Sequence, residues 1–138
     1  MIKHCSKCGE PKPVTEFHKC SRNKDGVFSQ CKSCRLSYQR TDRGKMLLSQ
    51  ANIRSRTNDP TFTISESDWS THLNATECML CGKLLPLGTH SDKQFDHKHG
   101  TNHYRGTLCA KCNVQLGVYE QMLSNPNLST YMKEDGLL

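Results

Sequence analysis

FDHKHGTNHYRGTLCAKCN, residues 95–113, sets Asp-His-Lys-His just upstream of a Cys-x-x-Cys pair that is followed at once by Asn. A structural metal site needs only the cysteines, so Asp96, His97 and Asn113 require a separate reason to be there. The run from Gln94 to His97 has strand character and Tyr104 to Leu108 reads as its partner. A helix is expected from Cys109 or soon after, carrying Asn113, Leu116 and Tyr119. Strand, strand and helix make a ββα unit, with Asp96 and His97 on its first strand and Asn113 near the start of its helix.

Outward from that stretch, cysteines organise the chain. Eight of the nine form four Cys-x-x-Cys pairs, Cys5 with Cys8, Cys31 with Cys34, Cys78 with Cys81 and Cys109 with Cys112, leaving Cys20 over. A two-residue spacer turns both sulfurs of a knuckle toward one ion, and two knuckles complete a tetrahedron. The intervals of 22 and 27 residues between partner pairs lie a little beyond the ~15–20 usual for four-cysteine sites. Two structural zinc ions are therefore expected, one per half. The odd cysteine count and the lack of a signal-like apolar stretch after Met1 speak against a secreted disulfide framework and for metal in a reducing cytoplasm. Cys20 reads as a plain thiol.

At 138 residues the chain can hold one modest domain or two very small ones, and its 34% hydrophobic share falls below the ~45–50% of ordinary globular domains. So small an apolar supply needs staples. No run approaches the ~18 apolar residues of a membrane span, so a soluble, cytoplasmic protein is expected. The formal charge of +6 shrinks once thiolates are counted, because four of them around a divalent ion leave about −2 per site. Distribution is more telling: residues 1–60 hold 13 Lys/Arg against 5 Asp/Glu, and residues 61–138 hold 6 against 8. A basic front suits a polyanionic partner.

Gly9 after the first knuckle, Pro11, Pro13 and the Asp25-Gly26 turn indicate a zinc ribbon of small hairpins over residues 1–36, with Phe17 and Phe28 as its few core residues. Residues 37–60 read as a basic helical linker, interrupted near Gly44 and ended by Asn58-Asp59-Pro60. Arg35, Arg40, Arg43, Lys45, Arg54 and Arg56 make this region a candidate contact for a phosphate backbone. Residues 61–138 form the third segment, where Ser65 or Ser67 caps a helix through the core residue Trp69 to about Leu73.

Within the ββα unit, the second zinc holds the segment before the first strand through Cys78 and Cys81 and the helix start through Cys109 and Cys112. Asn113 is thereby fixed, and Asp96 can face it across a small gap. One carboxylate and one amide oxygen form the sparse oxygen cage that magnesium, or manganese, accepts while keeping room for a phosphate. His97 has the pKa range to take a proton from an attacking water. These are the parts of a phosphodiesterase.

CMLCG at 78–82 followed by FDHKHGTNHYRGTLCAKCNVQLG at 95–117 resembles the recombination endonuclease VII family of phage nucleases, a zinc-stapled branch of the HNH (His-metal finger) endonucleases. The resemblance spans about residues 69–131, including NPNLSTYM at 125–132, which is similar to a short family helix, and CSKCGEPKPVTEF with DGVFSQCKSC is similar to a zinc module found ahead of such domains. It implies a small α+β, zinc-stapled fold with a C-terminal ββα-metal (HNH) domain. It further implies catalytic magnesium on Asp96 and Asn113, His97 as general base, and Cys78, Cys81, Cys109 and Cys112 on zinc. His99 matches a recurrent second family histidine and is either a contact to the scissile phosphate or the metal or an exposed strand residue, and Arg105 either reaches a phosphate or marks a structural bend. The implied partner is DNA, cut to leave a 5′-phosphate and a 3′-hydroxyl, by a phage protein in the cytoplasm of a bacterial host. Thr101-Asn102 stands where the family has Thr-Gly, a mild departure because Asn tolerates left-handed backbone. Leu116 stands where the branch-cleaving member has an acid, with Glu120 further along. No counterpart of that member's long C-terminal dimerising region is expected, which leaves dimerisation and junction resolution open.

Two readings from different classes compete: a metal-dependent DNA endonuclease, and a non-catalytic zinc-finger DNA-binding or regulatory protein favoured by the basic front. A protein-interaction adaptor is a third. Asp96, His97 and Asn113 separate them, since a mere binder has no reason to combine all three beside a zinc knuckle.

Overall fold

Two tight hairpins open the chain. Strand β1 (Ile2–His4) pairs antiparallel with β2 (Pro11–Pro13), and after one 3-10 turn (Val14–Glu16) β3 (Phe17–Lys19) pairs antiparallel with β4 (Val27–Cys31). The turns are local chemistry: Gly9 at φ 75° ends the first knuckle with its N–H on the Cys5 carbonyl at 2.8 Å, and Gly26 at φ 71° closes the second hairpin. The small core between the hairpins is Cys5, Phe17, Val27 and Cys31, all buried. Phe28, expected inside, is only half-buried and serves instead as a shelf for the Arg35 guanidinium, 4.0 Å above its ring.

The computed structural model describes residues 1–128, 130 and 131, and the chain divides into two compact units, Met1–Ile53 and Arg54–Leu138. Helix α1 (Lys32–Gln39) follows β4 directly, and two residues separate it from α2 (Asp42–Thr57). The interruption expected near Gly44 falls instead at Arg40-Thr41. Thr41 makes the corner: its hydroxyl donates to the Tyr38 carbonyl at 2.7 Å and accepts the Gly44 N–H at 3.0 Å, capping α2. Gly44 matters for a different reason, because a Cβ there would lie 2.0 Å from the Tyr38 carbonyl oxygen. At its far end α2 stops at Thr57, and Asn58 takes φ 52°, ahead of Asp59-Pro60.

In the second unit, the Ser65 hydroxyl accepts the Asp68 N–H at 3.0 Å and caps α3 (Glu66–Asn74). Strands β5 (Lys93–His97) and β6 (Tyr104–Cys109) pair antiparallel, and α4 (Ala110–Leu123) starts from Cys109 as its N-cap. Side chains alternate along β5. Lys93, Phe95 and His97 face an aromatic layer in which Phe95 packs on Trp69, His72 and Tyr104, and His97 on Phe62. On the other face Leu108, paired with Gln94 in register, joins Cys78, Leu85, Cys109 and Cys112, with Leu116 of α4 packed against them. The sequence thus yields a small α+β fold stapled by two four-cysteine clusters. No helix of the described residues is long and apolar enough to cross a membrane. Of the short helix expected in NPNLSTYM, Tyr131 N–H reaches the Asn127 carbonyl at 3.0 Å, whereas Ser129 and Met132 lie outside the described residues.

Candidate active site

The eight paired cysteines converge in two groups, Cys5, Cys8, Cys31 and Cys34, and Cys78, Cys81, Cys109 and Cys112, with the sulfurs of each group within 4.8 Å of one another. A tetrahedral zinc with sulfur ligands at about 2.3 Å sets its sulfurs about 3.8 Å apart, and Cys81 Sγ lies 3.9 Å from Cys109 Sγ. All nine cysteines are free thiols. Their protonation also fits a cation. Backbone N–H groups of Cys31 and Cys8 bring the Cys5 thiol down to about 6. At Cys78 burial opposes ionisation, yet N–H groups of Cys109, Cys81 and Leu80 outweigh it and hold the thiol at about 6. Meanwhile the neighbouring sulfur of Cys31 pushes Cys34 up to about 12, and those of Cys81 and Cys109 do the same to Cys112. Each group is ready to ionise in part, and a divalent ion is what lets four crowded sulfurs ionise together.

The end of β5 farther from Cys109 presents Asp96 and His97, both 8% exposed. A bulge explains how the strand directs them. Asp96 pairs with Gly106 and His97 with Tyr104, which leaves Arg105 as the extra residue of β6. Being extra, Arg105 projects on the Asp96 face: its Nε donates to Asp96 Oδ2 and its Nη2 to Asp96 Oδ1, each at 2.8 Å. Nη1 of the same guanidinium meets the Glu120 carboxylate of α4. Gly106 belongs to this turn as well, since it adopts φ 155° and a Cβ there would lie 2.0 Å from Met79 Sδ. Glu120 is held below the usual carboxylate range by Arg105, and the arginine's own pKa is raised in return by Asp96 and Glu120.

On the opposite face the His97 ring centroid sits 4.6 Å from that of Phe62 and 5.4 Å from that of His99. Burial, reinforced by nearby His99, draws His97 below the ordinary histidine value, against the pull of Asp96. His99 is exposed, and beside it a cavity of about 460 Å³ opens, walled by residues 56–60 and Gly100. Asn113 is half-buried in the first turn of α4, immediately after the buried Cys112. A second concavity, about 330 Å³ beside Tyr38 and Leu47, has no acid, histidine or cysteine in its lining.

Among the other expected contact residues, Arg40, Arg43 and Arg56 are exposed, and Lys45 pairs with Asp42 at 3.7 Å. Arg54 is committed through Nε to the Phe62 carbonyl at 2.7 Å, so it supports the segment beneath His97. Two residues that shape the site gave no sequence signal as site residues. Lys93 is buried with Nζ on the carbonyls of Leu73, Ala75 and Pro86, at 2.9, 2.8 and 3.2 Å. Buried His72 shares a 2.9 Å hydrogen bond with the Thr107 hydroxyl. Glu120 lies seven residues beyond Asn113, two helical turns along the same face.

Residues 54–134 match the model of the family described as recombination endonuclease VII. Among solved structures, the ββα-Me type II restriction endonuclease Hpy99I is similar with 21% identity and a TM-score of 0.28, over 96% of this chain and 63% of that one. The chain therefore spans less than two thirds of that enzyme's length. No curated protein matches the chain.

Proposed function

The chain belongs to the recombination endonuclease VII family, and from that premise we propose that it hydrolyses phosphodiester bonds in DNA at the end of β5. The observation that carries this reading is the divergence of Asp96 and His97, buried neighbours of which one meets the Arg105 guanidinium that is tied to α4 and the other the Phe62 ring. A phosphodiester lying across that end meets both. Asp96 and Asn113 would hold a divalent cation such as magnesium through their oxygens, and it would supply positive charge opposite the charge that develops on the phosphate and the departing oxygen. His97, drawn toward its neutral form by burial, accepts a proton from the attacking water as the water oxygen bonds to phosphorus. The bond from phosphorus to the 3′ oxygen then breaks, leaving a 5′-phosphate and a 3′-hydroxyl, with the 3′ oxygen protonated from solvent.

The histidine needs no large movement to serve, because Phe62 and the strand hold its ring. His99, 5.4 Å away by ring centroids, is exposed on the side from which a strand of DNA approaches and serves as a phosphate contact. Arg105 keeps two of its five N–H donors after serving Asp96 and Glu120, enough to reach one phosphate oxygen. Arg35, Arg40, Arg43, Lys45 and Arg56 are the phosphate-backbone contacts of this reading, which position a duplex without reading its sequence. Substitution of Asn113 by Ala tests the division of labour on α4. Zinc measured by mass should stay at two ions per chain while cleavage requires far more magnesium. Loss of zinc from Asn113→Ala would place Asn113 in the staple instead.

The basic front unit also suits a DNA-binding protein with no chemistry. Binding of DNA without magnesium-dependent cleavage would favour that reading.

A further inference from the structure

We infer that Arg105 and Glu120 are positioning residues that fix the Asp96 carboxylate for a divalent cation. The inference rests on the metal-dependent reading above and concerns residues outside the Asp96, His97 and Asn113 set.

A carboxylate at a strand end ordinarily turns about its Cβ–Cγ bond. Asp96 is denied that freedom, because both of its oxygens are taken by one planar guanidinium at 2.8 Å each. Each oxygen still keeps a lone-pair direction for a further partner, so the fork orients the group without consuming it. The guanidinium is held in turn from α4, where Glu120 engages Nη1. Arg105 thus ties the strand that carries Asp96 to the helix that carries Asn113, the two proposed oxygen donors. Any drift of α4 against β5 would have to break this link.

Charge gives the same answer. Asp96 with Arg105 alone would be neutral and a poor cation site. Adding Glu120 returns one net negative charge to the group of three while leaving the fork intact. Glu120 joins Asp96 from two turns past Asn113, through the long arm of Arg105.

The test measures manganese binding to the DNA-free, zinc-loaded protein from the electron paramagnetic resonance signal of free manganese. It compares the unaltered chain with Arg105→Lys, Glu120→Gln and Glu120→Asp. Lysine keeps the charge and loses the planar fork, whereas glutamine keeps the shape and loses the charge. Both are expected to bind manganese about tenfold more weakly, in the range found when a group that orients a metal ligand is altered. Glu120→Asp should recover part of the loss. Binding within twofold of the unaltered protein in both Arg105→Lys and Glu120→Gln would overturn the inference while leaving the metal site standing. No manganese bound by the unaltered protein would overturn the metal site itself and the inference with it. Variants that lose zinc would assign Arg105 and Glu120 to folding and likewise overturn it.

Discussion

Asp96 and His97 are adjacent, yet the strand gives them different chemistry. Asp96 meets a cationic fork and a helix, and His97 meets a phenyl ring that removes water from it. His72 shows the same desolvation further inside. Burial, with the Lys93 charge adding to it, lowers its pKa to about 4, and its ring meets the Thr107 hydroxyl and the rings of Trp69 and Phe95. Since the unfolded chain has an ordinary histidine near 6.5, the unfolded state takes up the proton first as pH falls. The contribution of neutral His72 is therefore complete above about pH 6.5 and is lost progressively toward about pH 4. By pH 5 this amounts to on the order of 2 kcal/mol. Denaturant titrations should show that His72→Gln, which can still hydrogen-bond Thr107, loses less stability than the unaltered chain between pH 7 and pH 5. Parallel curves would contradict this origin. Asp96, His97 and Asn113 stand out in the sequence as a candidate site because of their short spacings beside a Cys-x-x-Cys pair. Lys93, His72 and the link from Arg105 to Glu120 do not. A lysine, a histidine and a glutamate ordinarily face water, and only tertiary partners reveal that they are buried or engaged.

The elements were legible where a local signal sets their limits. Ser65 starts α3, Cys109 starts α4, and Asn58-Asp59-Pro60 stops α2, each by chemistry within four residues of the boundary. The break between α1 and α2 was displaced from Gly44 to Thr41, because the glycine there answers a close approach of backbone rather than a turn. What binds β5, β6 and α4 together is mostly sulfur. Three of the five buried residues in the cluster beneath α4 are the cysteines Cys78, Cys109 and Cys112, beside only Leu85 and Leu108. Metal binding in so small a core supplies much of the folding free energy. Replacing Cys78 by Ser, or stripping zinc with a strong chelator, should therefore abolish the cooperative melting of the second unit. The near-ultraviolet circular dichroism of Trp69, buried in that unit, should collapse with it. A chelated or Cys78→Ser protein that keeps this signal and its melting transition would show that the cysteines are dispensable to the fold.

At the scale of the whole molecule, charge and chemistry divide along the chain. The basic residues concentrate in the first 60 positions, and the candidate active site lies on β5 and α4 of the second unit. If the first unit grips phosphates, DNA binding should weaken steeply with salt. Replacing Arg40 or Arg43 by Ala should then lower the slope of log affinity against log salt by about 1 each. A slope unchanged by either substitution would remove those side chains from the interface. The same division sets what cleavage should look like. One site of this kind per chain nicks one strand, so paired cuts at a branch require two chains or two encounters. The decisive experiment is magnesium-dependent cleavage of supercoiled plasmid and of a synthetic four-way junction, with His97→Ala beside the unaltered protein. Cleavage of at least one substrate is expected, reduced about 10²–10⁴-fold by His97→Ala with zinc content and DNA binding retained. Binding to both substrates with no cleavage of either, or cleavage that His97→Ala leaves unchanged, would contradict the phosphodiesterase reading of β5 and α4.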